Sequence, residues 1–286
     1  MSELDRRPDS SKTTTPASTP RSMPSPMPKY RSVRILGAAC TVAGMVCGCD
    51  SGAPASLAHA EHIAASCPTD GTRIAAVVQL DRSGSRRSVE DAPAEQEVMR
   101  EAVERTAICR GHLRVTAFSG SMIGVTVFDA DLQLDGATTN ARLRKAPKAV
   151  DAVMEQITAA LPDAANELVD GSTDIVSQYQ LGAEYAAQLA ATGPFVLEQT
   201  ILTDGIQTAG QDLNDPSLTV TQADTLAEAL SVPDLTGATV RLIGIGRQAD
   251  NAPLPTPYIA ALRAFHTTIC ENTGATCTVL TDAAGA

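Results

Sequence analysis

Residues 73–85 read RIAAVVQL-DRSGS, a mostly apolar run that closes on Asp81, Ser83 and Ser85. Eight such residues with little polar alternation describe a strand buried on both faces, as in a parallel sheet covered by helices. The same pattern recurs twice. Residues 195–202 (FVLEQTIL) run into Thr203-Asp204-Gly205, and residues 239–246 (TVRLIGIG) end at Gly244-Ile-Gly246. Helical spacing fills the gaps, over residues 95–109, part of 142–160, 175–191, 221–230 and 256–272. A strand is expected at 112–118, another at 124–134, and a last one at 276–280. The link between the two middle ones, Ser119-Gly-Ser121, is too short for a crossover, so that pair must be antiparallel.

Strands alternating with helices predict a Rossmann-like, doubly wound α/β domain. Its six-stranded sheet is mostly parallel, with one antiparallel edge strand and helices on both faces. Ligands of such sheets bind beyond the carboxyl ends of the strands. Asp81 and Asp204 both fall there. Pro147 belongs in a first helical turn or at a break. Thr173-Asp174 offers an N-cap for the helix that follows.

Three short elements carry the candidate chemistry: Asp81-x-Ser83-x-Ser85, Thr173 within Gly171-Ser-Thr-Asp174, and Asp204 within Thr203-Asp-Gly205. Hydroxyls and carboxylates are hard oxygen donors that suit Mg²⁺, Mn²⁺ or Ca²⁺. A lone DxSxS is common in loops, where Asp and Ser bond their own backbone. The three in this order, at strand ends, resemble the metal-ion-dependent adhesion site of von Willebrand factor type A (VWA) domains, over residues 70–282. The resemblance implies that Ser83 and Ser85 give hydroxyl oxygens directly to Mg²⁺ (or Mn²⁺, with Ca²⁺ as a further option). It implies that Thr173 adds a third hydroxyl when a ligand is held. Asp81 and Asp204 would act through waters or serine hydroxyls, and a partner protein's carboxylate would complete the ion's shell. Arg82 and Arg86-Arg87 flank the loop, either solvated or drawing an acidic partner. The loop 205–220 is a candidate specificity surface or a plain surface connection.

Charge excludes one class of partner. The chain carries 33 Asp+Glu against 22 Lys+Arg. After Cys49 it holds 30 acidic and 15 basic residues, and no Lys or Arg lies between Lys148 and Arg241. Nucleic-acid binding needs the opposite sign. An acidic rim attracts cations, or is simply a solvated surface.

The N-terminal region reads as targeting sequence. Residues 1–28 are rich in Pro, Ser and Thr and are expected to be disordered. Met23 or Met27 would make a more ordinary start. Lys29, Arg31 and Arg34 precede an apolar run, residues 35–49, shorter than the roughly 20 residues a membrane span needs. Residues 29–49 therefore read as a secretory signal. Its end, Val46-Cys-Gly-Cys49, resembles a bacterial lipobox with Cys49 as the lipidated residue, which implies anchoring to the outer face of the plasma membrane. Residues 50–66 read as a tether, and 67–286 as the folded domain. Four further cysteines follow, Cys67, Cys109, Cys270 and Cys277, an even number in an exported chain, with no zinc-type spacing. Three pairings are open on number alone. The order of elements favours Cys67–Cys109 and Cys270–Cys277, the first at the edge away from the metal.

Enzyme readings find little support. HExxH, GxSxG and Walker A motifs are absent, and Ser83 stands where a phosphoaspartyl motif has a second Asp. His59 and His62 fall in the tether, His112 begins a strand and His266 sits on a late helix, none tied to a serine by sequence. The expected function is a binding module that captures an acidic group of a protein through a divalent ion. The alternatives are a structural subunit of a cell-envelope assembly with a metal used for stability, and a hydrolase with metal-activated water, for which no general base stands out.

Overall fold

The computed structural model describes residues 52–86, 92–120, 124–168, 171–248 and 253–282. The signal segment, Cys49 and the Pro/Ser-rich stretch lie outside them.

Six strands form one sheet: β1 (Arg73–Asp81), β2 (His112–Phe118), β3 (Val125–Asp131), β4 (Phe195–Leu202), β5 (Thr239–Ile243) and β6 (Thr276–Leu280). Their order is β3-β2-β1-β4-β5-β6, and only the β2–β3 pair is antiparallel. The doubly wound α/β expectation, antiparallel edge included, is met. β1 sits between β2 and β4, in register from Ala75↔His112 on one side and Arg73↔Phe195 on the other.

Alternate residues of β1 feed two cores. Ala75 and Val77 pack with α5 (Val176–Ala190), α6 (Val220–Glu228) and α7 (Thr256–Asn272), through Tyr179, Ala223 and Phe265. Ile74, Ala76, Val78 and Leu80 pack with α1 (Gly52–Ala65), α2 (Ala92–Ile108) and α4 (Ala146–Glu167), through Ala60, Val103 and Ile157. The period of two along a strand produces this division. Each core stabilises by removing apolar area from water, about 25 cal/mol per Å².

Two details depart from the sequence reading, and a third, the place of Pro147, follows it. The stretch expected as a tether holds α1, whose Leu57, Ala60 and Ile63 join the second core. The segment 142–160 is two helices, α3 (Thr139–Leu143) and α4. Pro147 lies in the first turn of α4, where its missing N–H costs nothing. The expected N-cap of α5 is divided. Asp174 Oδ1 accepts from Ser177 N at 3.1 Å, while Ile175 N and Val176 N donate to the side chain of a distant residue, Gln207.

α5 approaches the sheet closely at Gly182, where a Cβ would stand 2.6 Å from Gln199 Oε1. Gln199 belongs to a buried amide network. Gln79 Nε2 donates to Gln178 Oε1 at 3.0 Å, and Gln199 Nε2 donates to Gln79 Oε1 at 2.6 Å. Inside the sheet–helix interface these bonds set the position of α5, since burying an unpaired amide costs about 1–3 kcal/mol.

Both disulfides pair as expected: Cys67–Cys109, with Cα atoms 5.3 Å apart, and Cys270–Cys277, with Cα atoms 6.0 Å apart. The four cysteines lie before β1, at the end of α2, at the end of α7 and at the start of β6. All four are on the amino side of the parallel strands.

Candidate metal centre

The connection after β1 leads to α2 on one face, and the helix before β4, α5, lies on the other. β1 and β4 are thus neighbours whose crossovers diverge, the crevice where doubly wound sheets hold ligands. Asp81 ends β1, Thr203 and Asp204 follow β4, and the Thr173 loop precedes α5. Ser83 and Thr173 line one open cleft of about 190 Å³, together with Ile206, Thr208, Asn214 and Gln248.

Asp81 and Asp204 are fully buried, and Ser83 and Thr173 are 3% and 4% exposed. The Asp81 carboxylate is held by both oxygens: Oδ1 accepts from Ser83 N at 2.9 Å, and Oδ2 from Thr203 Oγ1 at 2.7 Å. Asp81 therefore aims the serine loop, and its carboxyl also takes a hydrogen bond from the Ser83 side chain. Burial pushes the Asp81 carboxyl above the usual range, against those hydrogen bonds and the nearby Arg86 charge. Asp204 Oδ1 accepts from Ile206 N at 2.9 Å, which folds the next turn back on the carboxylate. Gly205 takes a left-handed φ of +82° in that turn, which favours glycine.

Thr173 is pinned by its backbone. Its N–H donates to Thr208 Oγ1 at 2.8 Å, and its carbonyl accepts from Thr208 N and Ala209 N, both at 3.0 Å. Among the described residues its hydroxyl has no hydrogen-bond partner. The backbone of Ser85 lies in a 3₁₀ turn, Gly84–Arg86, while its side chain is outside what is described.

Sequence reading missed several residues that build this end of the sheet. Arg82 and Arg86 turn inward and share Glu95 of α2. Arg82 Nη2 meets Glu95 Oε2 at 2.8 Å, and Arg86 Nη2 binds Glu95 Oε1. Arg86 Nη1 also donates to the Arg247 carbonyl at 3.0 Å. Arg82 and Arg86 clamp the serine loop, which corrects both readings offered from sequence for these two, while Arg87 lies outside the described residues. Charge spacing alone gave no sign of their partner. Gln207 joins the Asp204 loop to the Thr173 loop. Its Oε1 accepts from Ile175 N at 2.6 Å, and its Nε2 donates to Asp174 Oδ1 at 3.3 Å. His266, fully buried on α7, supports Gly205. Its Nε2 donates to the Gly205 carbonyl at 2.8 Å, and its Nδ1 has no partner among the described residues. Burial lowers its pKa to about 4, so the neutral Nε2–H tautomer is the form present near neutral pH.

The other histidines stand apart. His112 lies between Asp129 (2.7 Å from Nε2) and Asp131 (3.1 Å from Nδ1), and His59 pairs with Glu104 at the surface. Among the described residues no three His, Cys, Asp or Glu side chains group as a zinc-type set. The donors at the cleft are hydroxyls backed by buried carboxylates, and that chemistry fits a hard divalent ion. A larger cleft, about 320 Å³ between α2 and the sheet, is lined by the Arg105–Glu198 and Arg241–Glu101 pairs. Its charges already satisfy one another, so the smaller cleft has the stronger claim to chemistry.

Sheet order, parallel core and crevice define the class as a doubly wound α/β domain with an oxygen-lined site at the switch point. No protein-family model and no curated protein matches the chain. Among solved structures it is similar to the ArnB paralog VWA2 from Sulfolobus acidocaldarius, at 11% identity and TM-score 0.40, covering 74% of this chain and 42% of that one. It is similar to BatB from Bacteroides thetaiotaomicron at 13% identity and TM-score 0.40, covering 74% of this chain and 91% of that one. It is also similar to the pilus adhesin SpaC from Lactobacillus rhamnosus GG at 12% identity and TM-score 0.39, covering 76% of this chain and 29% of that one. The matched region thus spans less than half of the first of these relatives.

Proposed function

We propose that the protein is an exported VWA-type binding module, without enzymatic activity, that holds Mg²⁺ or Mn²⁺ and through it a carboxylate of a protein partner. One observation carries the reading. Asp81, Ser83, Thr173 and Asp204 arrive from three separated segments at one switch-point crevice, with the Thr173 hydroxyl unpartnered among the described residues at its wall. Ser83 and Thr173 would hold the ion directly, with Ser85 beside Ser83 in the same turn. Asp81 would orient the serines, and Asp204 would act from behind through water. Few direct carboxylates leave the ion electrophilic and able to exchange water for a ligand's carboxylate. Two disulfides suit an oxidising compartment. Lipidation at Cys49, at the outer face of a bacterial plasma membrane, is part of the proposal. The structural-subunit reading is the alternative if the ion serves stability alone.

Thermal unfolding with EDTA, Mg²⁺, Mn²⁺ or Ca²⁺, beside Asp204→Ala and Ser83→Ala, tests the site. An ion at a hundredfold over its dissociation constant should stabilise by about 2.7 kcal/mol. Both variants should lose that response. A response that survives in both variants would mean that the ion binds elsewhere.

A further inference from the structure

The cleft carries more than the ion's donors. Asn214 and Gln248 stand at its lip, from the loop after β4 and the loop after β5. Among the described residues neither side-chain amide makes a hydrogen bond. Asn214 uses only its backbone N–H there, toward Asp212 Oδ1 at 2.9 Å. Thr208 lines the same cleft. Its Oγ1 accepts from Thr173 N, which leaves the hydroxyl proton to give away. A carboxamide offers two N–H donors and a carbonyl acceptor, the complement of a peptide group. At about 30 Å³ per water the 190 Å³ cleft has room for roughly six waters, which suits a carboxylate side chain with the peptide unit beside it.

Charge at the lip narrows the choice further. Asp212 and Asp215 lie on the same loop as Asn214, and the Ser217 hydroxyl and N–H hold the Asp215 carboxyl below its usual range. No Lys or Arg occurs between residues 148 and 241 to offset them, Arg82 and Arg86 are turned inward onto Glu95, and Arg247, beside Gln248, pairs with Asp282. A ligand with further acidic residues next to its metal-bound carboxylate would be repelled within the roughly 8 Å over which charges act at physiological salt.

We propose that Asn214 and Gln248 are specificity residues that read the peptide group adjoining the captured carboxylate, so that the ligand is a peptide with one acidic side chain flanked by neutral or basic ones. This rests on carboxylate capture by the ion. NMR titration of the full chain in saturating Mg²⁺ with acetate, capped Gly-Asp-Gly and capped Asp-Asp-Asp separates the two ideas. Capped Gly-Asp-Gly should bind about tenfold tighter than acetate, equivalent to about 1.4 kcal/mol, and tighter than capped Asp-Asp-Asp. The double variant Asn214→Ala, Gln248→Ala should bring the peptide-to-acetate ratio close to one. An unchanged ratio in that variant, or equal binding of acetate and Gly-Asp-Gly by the parent chain, would overturn the specificity proposal while leaving capture intact. Mg²⁺ binding with no response to any of the three probes would overturn capture, and this proposal with it.

Discussion

The two ends of the sheet are held by different means. On the amino side, disulfides tie Cys67 to Cys109 and Cys270 to Cys277, and the bidentate Arg105–Glu198 pair bridges α2 and β4 at 2.7 Å. On the carboxyl side no covalent bond is present among the described residues. Asp81, Thr203, Gln207, Glu95 and His266 hold three loops by hydrogen bonds and buried charge. Covalent ties stabilise without adapting. A polar network can be exact in geometry and still yield when an ion or ligand adds a charge, because each bond contributes only about 0.5–1.5 kcal/mol. The comparison teaches that one edge of the sheet is fixed by covalent ties and the other, where binding is proposed, by polar contacts.

The sharpest test removes the centre of the carboxyl-side clamp. Glu95→Ala leaves the largely buried Arg82 and Arg86 side by side without their shared anion. Urea unfolding should show a loss of about 3–5 kcal/mol, as when one partner of a buried pair is removed, and metal-induced stabilisation should vanish as well.

The covalent end should behave otherwise. Cys67→Ser with Cys109→Ser opens a loop with sequence separation 42 and should cost up to about 4 kcal/mol by chain entropy. Cys270→Ser with Cys277→Ser opens one with separation 7 and should cost about 2.5 kcal/mol. Both pairs should keep the full metal response in thermal unfolding. If either loses it, the two ends are coupled and the comparison fails.

The smallest effect is a change of slope. His266 has a folded pKa of about 4 against about 6.5 unfolded. As pH falls through 6.5 toward 4, the unfolded chain takes the proton first, so this group removes stability across that window and nothing more below it. His266→Gln keeps a donor for the Gly205 carbonyl but does not titrate. The stability advantage of the parent chain over His266→Gln should therefore shrink from pH 7 to pH 4.5, read by urea midpoints. A constant difference would show that His266 does not stay neutral when folded.

Much of this was legible in the chain. The unbroken apolar run of β1 required a strand covered on both faces, and the Asp that closes it had to lie at the carboxyl edge. The short link after β2 forced the antiparallel pair. Helix spacing located α7 at 256–272 as found. The segment 50–66 misled because Ala- and Ser-rich composition resembles a linker, whereas small residues also let α1 pack close to α2. Arg82 and Arg86 misled because local charge does not reveal a partner on another element.

The sequence alone determined the class of fold, the chemistry of the donors and the cysteine framework, because periodicity, residue type and element order are local properties. Only the tertiary structure decided that Ser83 and Thr173 line one cleft, that Gln207 joins two site loops, that Glu95 holds both arginines, and that Asn214 and Gln248 line that same cleft. The hydrogen bonds among those relations join residues 9 to 33 positions apart. They come from the twist and register of the sheet, which bring together groups that no spacing along the chain relates.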